Sequence, residues 1–400
     1  MRSTLPPLTL LTTLLIAPPA LAEPVDVGPP NAPSQTPAFE GQTRAPQIQE
    51  ATELNAQTIV DGLEHPWGIA FLPGGDMLVT ERPGRLRLIT PEGEMSEPIE
   101  GLSEVDARDQ GGLLDVSLGP DFDTERWVYL SYAEAQDGDK NATTVARGRL
   151  SEDNTRLTDV EVIFRQQPGW KSTKHFGSRL MWGEDGRLFI TLGERSLVEP
   201  RQLAQTLDNT LGKVVRINAD GSMPTDNPFA GRDDALAEIW SYGHRNIQGA
   251  ALHPETRKLW TIEHGPNGGD ELNRPEAGHN YGWPVITYGE DYSGGPIGEG
   301  ITQKEGMEQP VYYWDPTIAP GDMTFYSGDA FDGWQGDALI ASLKPGGIIR
   351  LHLEDGRVTG EARYLEELGR IRDVEQGPDG ALWILTDNGD DALIRVLPQE

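Results

Sequence analysis

The feature that most constrains this chain is a loose recurring unit: a short apolar strand, a tight turn, and a second apolar strand. Trp67–Glu81 is one copy, turning at Pro-Gly-Gly-Asp; Ser178–Leu192 turns at Glu-Asp-Gly, and Asp373–Asp387 at Pro-Asp-Gly. Gln248–Ile262 is a fourth, and Gly112–Tyr132 and Met323–Ser342 are weaker copies. Asp-Gly turns between apolar runs are hairpin signals. The copies start roughly 45 to 75 residues apart, the spacing of propeller blades. About six copies predict an all-β fold, a six-bladed β-propeller; an irregular sandwich with coincidental hairpins is the alternative. Functional residues of such folds gather on loops, and the polar runs here fall between the hairpins.

Composition agrees. In 400 residues there are 47 Gly, 31 Pro and 10 Trp, a mix that favours short strands joined by turns over helices. The formal charge is −31, which argues against nucleic acid and against an anionic membrane surface as partners. Only seven of the 33 basic residues are Lys. An acid-rich, Lys-poor surface is expected of a protein that works in salt, where screening weakens self-repulsion.

Residues 1–22 have the form of an export signal: Arg2 is the basic region, Leu8 to Ile16 the apolar region, and Ala20-Leu21-Ala22 a small-residue cleavage site. The apolar run is too short to span a membrane, so the expectation is an exported, periplasmic protein without membrane insertion. There is no Cys, which excludes disulfides, thiolate metal sites and covalent haem. Residues 23–55 are rich in Pro, Ala, Gln and Thr without periodicity and are expected to form a flexible linker. The folded domain is expected over 56–400.

Several polar runs carry chemistry. His175, just ahead of a hairpin, has the residue type and place of a general base, or of a structural histidine. Gln110 holds the same relative place before another hairpin and either orients a substrate hydroxyl or caps a turn. Arg245, Asn246 and Gln248 alternate with Gly243 and Gly249, so a planar donor fork lies beside backbone that a ligand can approach closely; a surface ion-pair cluster is the other reading. Gly265-Pro266, followed by Asp270, Glu271 and Asn273, suggests a hard-cation site or an acidic turn. Lys344, Arg370 and Arg372 also lie at strand entries. With Arg245 they could form a positive pocket for a small, multiply anionic ligand.

Taken together, these motifs resemble the soluble pyrroloquinoline quinone (PQQ)-dependent sugar dehydrogenases of the glucose/sorbosone dehydrogenase family, in particular the bacterial aldose sugar dehydrogenases. The resemblance covers roughly residues 56 to 398. It rests on His-Pro-Trp-Gly-Ile-Ala-Phe, Asp-Gln-Gly-Gly-Leu-Leu-Asp, His-Phe-Gly-Ser-Arg-Leu, Gly-His-Arg-Asn-Ile-Gln-Gly, Glu-His-Gly-Pro-Asn with Asp-Glu-Leu-Asn, Asn-Tyr-Gly-Trp-Pro, Ser-Leu-Lys and Arg-Ile-Arg-Asp, in that order.

The resemblance implies a six-bladed propeller that oxidises the C1 hydroxyl of aldoses to lactones with PQQ and Ca²⁺ and passes electrons to an external acceptor, as a monomer or homodimer. It implies that His175 is the base and that Gln110 faces the substrate and cofactor. Arg245, Asn246 and Gln248 would lie at the quinone end, and Lys344, Arg370 and Arg372 would hold the PQQ carboxylates. Gly265 and Pro266 would bind the cofactor's Ca²⁺ through backbone oxygens, while Glu271 and Tyr281 would ligate a structural Ca²⁺. Tyr292 and Tyr312 would contact cofactor and sugar. The chain departs from the glucose-oxidising branch at the sugar rim: Lys174 replaces an acidic neighbour of the base, Arg195 a Gln, and Asp315 a Trp. A Lys beside His175 is expected to lower its pKa. Two rival functions are a non-catalytic propeller that binds glycans or proteins, which needs none of the cationic set, and a Ca²⁺-dependent lactonase, which a basic pocket does not suit.

Overall fold

A computed structural model describes residues 22–25, 28–49 and 52–399; the expected export signal falls almost wholly outside these. Among the described residues the strands form six antiparallel sheets. The first is Pro66–Phe71, Met77–Glu81 and Arg85–Ile89. The second is Leu113–Leu118, Trp127–Gln136, Lys140–Leu150 and Leu157–Arg165. Gly177–Trp182, Leu188–Leu192, Lys213–Ile217 and Ile239–Tyr242 form the third. Ile247–Leu252, Leu259–Glu263, Asp270–Asn273 and Tyr312–Trp314 form the fourth. Pro320–Phe325, Ala338–Ser342, Ile348–Glu354 and Arg357–Tyr364 form the fifth. In the sixth, Ile371–Gln376, Leu382–Thr386 and Asp391–Pro398 are completed by the N-terminal strand Leu54–Leu63, which pairs from Leu54↔Pro398 to Leu63↔Asp391. The first strands of the six sheets contact one another in a closed ring, so the architecture is a six-bladed β-propeller. All six sequence repeats coincide with the inner hairpins of the blades.

The second strand of five blades is buried at every residue. Each lies between two strands of its own sheet and is covered on both faces by neighbouring blades, so it reads as a continuous apolar run without alternation. Six apolar clusters fill the gaps between successive blades around the ring. Aromatic edges mark several of these seams: Tyr129–Trp182 at 4.8 Å, Trp260–Phe325 at 5.8 Å and Phe71–Trp383 at 5.9 Å.

A single guanidinium holds the axis. Arg179, on the first strand of the third blade, reaches Asp115 of the second at 2.9 Å, Asp322 of the fifth at 3.1 Å and Asp373 of the sixth at 3.4 Å. Its Nε donates to the Gln248 carbonyl of the fourth blade at 3.1 Å, and its Cζ lies 4.3 Å from the Trp67 ring of the first. Arg179 therefore touches all five other blades. Burial pushes the Asp115 carboxyl up to about 6, although the Arg179 charge opposes this.

The Pro-rich segment expected to be a flexible linker is instead fastened to the outside of the propeller. The Asn31 and Ala32 amides donate to the Asp315 carboxylate. Gln42 is fully buried, donates to the Pro310 carbonyl at 3.0 Å and accepts from the Tyr288 hydroxyl at 3.0 Å. Composition misleads here because these hydrogen bonds join residues more than 240 positions apart. Asp315 is thus a clamp for this segment and not a residue of a sugar rim. Tyr312 is corrected in the same way: it lies fully buried on the outermost strand of the fourth blade, accepts from the Ala45 amide at 2.9 Å and donates to Glu361 at 3.0 Å.

Two outcomes follow from this packing. Arg179→Met leaves buried carboxylates without their cation and should cost about 3–5 kcal/mol, measured by denaturant unfolding. Tyr312→Phe removes one hydroxyl from two buried partners and should cost about 1–3 kcal/mol, measured in the same way; unchanged stability would show that these two bonds do not fasten the segment.

Candidate active site

At one end of the propeller the innermost strands begin and the second strands end, and the connecting loops enclose a chamber of about 590 Å³. Strand entries supply Gln110, His175, Arg245, Asn246, Gln248, Arg370 and Arg372; second-strand exits supply Arg82, His264 and Asp387; and Tyr292, 75% exposed, stands at the rim. Eight residues expected from the sequence are therefore brought together.

His175 is held unusually firmly. Its backbone is left-handed (φ 52°) and is followed by Gly177 at φ 68°. A Cβ on Gly193 would lie 2.1 Å from the His175 carbonyl oxygen, so only glycine lets the neighbouring strand exit approach this closely. The His175 amide donates to Gln110 Oε1 at 2.9 Å. On the ring, Nδ1–H donates to the buried Glu194 carboxylate at 2.9 Å, which leaves Nε2 free to accept a proton. Burial, and then the Arg245 charge, lower the imidazole pKa to about 4, with Glu194 pulling the other way. The imidazole is neutral near pH 7, the form a base requires.

Two neighbours of His175 differ from expectation. Lys174 is exposed, and the charges that depress the imidazole are those of Arg245 and Arg195. Arg195 does not line the chamber. It is fully buried behind it, donating to Asn141 Oδ1 and the Ser172 carbonyl, with its guanidinium 3.9 Å from the Phe176 ring. Burial lowers its pKa to about 9. A left-handed backbone at Arg195 and Ser196 turns the chain here, and neither residue lines the chamber.

The cations are arranged around Asp387. Its carboxylate accepts from Arg372 at 2.9 Å and Arg370 at 3.1 Å, and His65 lies at 3.3 Å. Burial would raise Asp387, but Arg372 and Arg370 hold it at about 2. Arg372 also donates to Gln248 Oε1 at 3.2 Å. Arg245 donates to the His264 carbonyl at 2.9 Å and lies 5.2 Å from the Trp283 ring, while its buried Nε has no partner among the described residues. Burial and the Arg245 charge lower the His264 pKa to about 3, and its Nε2–H donates to the Pro320 carbonyl. The chamber thus sets four guanidiniums against one ionised carboxylate that is already shared, with a second aspartate, Asp109, on its wall. Lys344 is not in its wall: it is exposed beside Leu343, which is.

Gly265, Pro266, Glu271 and Tyr281 meet around a separate cavity of about 10 Å³, the room of one water or ion. Arg245 and His264 line both spaces. Burial, and then the Glu263 charge, raise the Glu271 pKa well above 4.5. Asn273 Oδ1 nearby is a buried acceptor without a donor. Adjacent carboxylates and an orphaned amide oxygen are the donor set of a hard cation. Tyr281 does not present its hydroxyl freely, since this donates to the Arg274 carbonyl and accepts from the Glu276 amide.

Sequence reasoning missed Glu194, His65, Arg82, His264 and Asp387 as site residues. Four of these immediately follow the second strand of an inner hairpin or lie one residue beyond it. That shared register was the available signal.

The glucose/sorbosone dehydrogenase family has a sequence model that matches residues 63–395. Among curated relatives, the aldose sugar dehydrogenase YliI of Escherichia coli K12 is 46% identical over 349 residues, covering 86% of this chain and 93% of its own. The apo-form crystal structure of the soluble aldose sugar dehydrogenase from E. coli superposes with a TM-score of 0.83 at 45% identity, covering 86% of this chain and all of that one. The PQQ-bound aldose sugar dehydrogenase of Streptomyces coelicolor superposes with a TM-score of 0.70 at 28% identity, covering 87% and 99%. With its propeller, chamber and nearly full-length match, this chain belongs to the glucose/sorbosone dehydrogenase family.

Proposed function

We propose that this protein is a PQQ- and Ca²⁺-dependent aldose dehydrogenase that oxidises the C1 hydroxyl of a cyclic aldose to a lactone and passes the electrons to an external acceptor. The observation that carries this reading is a neutral, Glu194-backed His175 facing a four-guanidinium chamber in a protein of formal charge −31. The relationship to a PQQ-bound aldose sugar dehydrogenase supports it. We propose further that the chain is exported and acts in the periplasm, on the evidence of its N-terminal sequence.

The residues fit the cofactor. A tricarboxylated quinone needs several cations in a confined space; Arg370 and Arg372 would hold carboxylates. Arg245, whose buried Nε lacks a partner, and Asn246 would face the quinone end. Gly265 and Pro266 offer backbone oxygens for Ca²⁺, and Glu271 a carboxylate beside them. When bound, the quinone supplies hydride-accepting, two-electron chemistry and the metal supplies Lewis acidity.

The protein's own residues do the rest. His175 Nε2 accepts the C1 hydroxyl proton, and the Glu194 carboxyl group hydrogen-bonded to Nδ1 stabilises the imidazolium that forms. Glu194 also fixes the tautomer, so it is a positioning residue. Gln110, anchored through the His175 amide, lies at the chamber wall to orient the sugar. Arg245 stabilises negative charge that develops at the reacting centre.

The reading is tested by titrating the apo protein with PQQ and Ca²⁺ and then adding glucose. A saturable spectral change at stoichiometric PQQ, followed by sugar-dependent reduction, is expected; absence of PQQ binding would sink the proposal. His175→Ala should slow turnover at least about 100-fold with PQQ binding intact. The pH profile should be flat near neutrality and lose kcat/KM as pH falls toward about 4, because the imidazole becomes protonated there. Glu194→Gln should move that acid limb lower still, since Glu194 raises the pKa, and slow turnover about 100-fold. Arg372→Ala removes a cationic donor from the chamber wall and should weaken PQQ binding about 10- to 100-fold; unchanged affinity would show that the cofactor lies elsewhere.

A further inference from the structure

Beside the chamber lies a second open cleft of about 590 Å³, lined by Arg108, Asp139, Lys171 to Lys174, Ser196 and Leu197. It shares no lining residue with the chamber, yet the same loops build both. Residues 108–110 run from the cleft into the chamber, and Lys174 in the cleft precedes His175 in the chamber. The loops are fastened together: Thr173 Oγ1 donates to Asp109 at 2.9 Å, and the Gln110 amide donates to the Thr173 carbonyl at 3.1 Å. On the far side, the Ser196 amide donates at 2.8 Å to Glu194, the carboxylate that also holds His175. Its lining is therefore anchored to the groups that orient the base, and Lys174 in the cleft is the chain neighbour of His175 in the chamber.

Its chemistry is out of character for this surface. The chain has 64 acidic residues and only seven Lys, yet two of the seven line this one cleft. Lys171 and Lys174 are exposed and have no ion-pair partner among the described residues, whereas Arg108 is paired with Asp106 at 2.6 Å. Asp139 is the only carboxylate in the wall. Hydroxyls of Ser172, Thr173 and Ser196, with the 44% exposed Leu197, supply the polar edges and apolar face suited to a pyranose ring.

We propose that this cleft is an outer subsite for the anionic unit of an acidic oligosaccharide, a uronic acid whose carboxylate is read by Lys171 and Lys174, while the reducing-end aldose occupies the chamber. The inference rests on the aldose oxidation proposed above and names its substrate class.

The test compares cellobiouronic acid with cellobiose, which share a skeleton and differ by one carboxylate. With the PQQ- and Ca²⁺-loaded enzyme at low salt, kcat/KM should favour the acidic disaccharide about tenfold, the effect of one or two exposed charge pairs. The preference should shrink at high NaCl. The double variant Lys171→Gln/Lys174→Gln should abolish it while leaving glucose and cellobiose unchanged, and Lys171→Glu/Lys174→Glu should reverse it. No preference in the wild type, or equal losses on both disaccharides in the variant, would overturn the subsite. Calorimetry on the apo protein separates this from failure of the dehydrogenase reading. If no sugar is oxidised, binding of cellobiouronic acid that is lost in the double variant still supports the subsite, and absence of binding overturns it.

Discussion

Arg179 is the point on which the structure depends. Stacking six sheets about an axis buries each inner strand and brings side chains of all six blades together at the centre. One guanidinium there meets three carboxylates, a carbonyl and an indole face from the five other blades. Strand pairing between Leu54–Leu63 and Asp391–Pro398 closes the ring at its circumference. With no disulfide available, closure relies on this pairing, the axial ion cluster and the apolar seams between blades. Arg179 and His175 lie on one short segment, so the residue that centres the ring and the residue facing the chamber are positioned together.

The same geometry explains how an acidic protein presents a cationic pocket. The strand entries and exits of all blades converge at one end, so basic residues that are scarce and scattered in sequence become neighbours there. Arg370 and Arg372 share Asp387, which prevents their mutual repulsion from opening the site. Burial and Arg245 keep His175 neutral, while Glu194 keeps it oriented. These effects oppose one another on pKa but agree on function, since a neutral and fixed imidazole is what proton abstraction requires.

Much of this was legible in the sequence. The hairpin repeats coincide with the inner strands of all six blades, because turn chemistry and apolar runs act locally. His175, Gln110, Arg245, Arg370 and Arg372 were legible because polar residues at strand entries have nowhere else to go. Arg195 and Tyr312 were misplaced for a complementary reason. Each belongs to a polar or aromatic run near the expected site, but a left-handed turn sends Arg195 behind the chamber, and Tyr312 lies on an outermost strand. Residues 28–49 read as linker by composition because their partners, Asp315, Tyr288 and Pro310, lie hundreds of residues away.

By itself the sequence determined the strand-turn-strand period, the number of blades, the surplus of acid and the residue types available for chemistry, all of which depend on neighbours in the chain. The tertiary structure alone decided which polar side chains share a space. It placed Glu194 behind His175, set Asp387 between two arginines, put Arg179 on the axis and brought Ser196 and Leu197 into one cleft with Lys171 and Lys174. Such pairings are decided by ring closure, because the direction of a loop side chain depends on the blade packed against it and not on the residues that flank it in sequence.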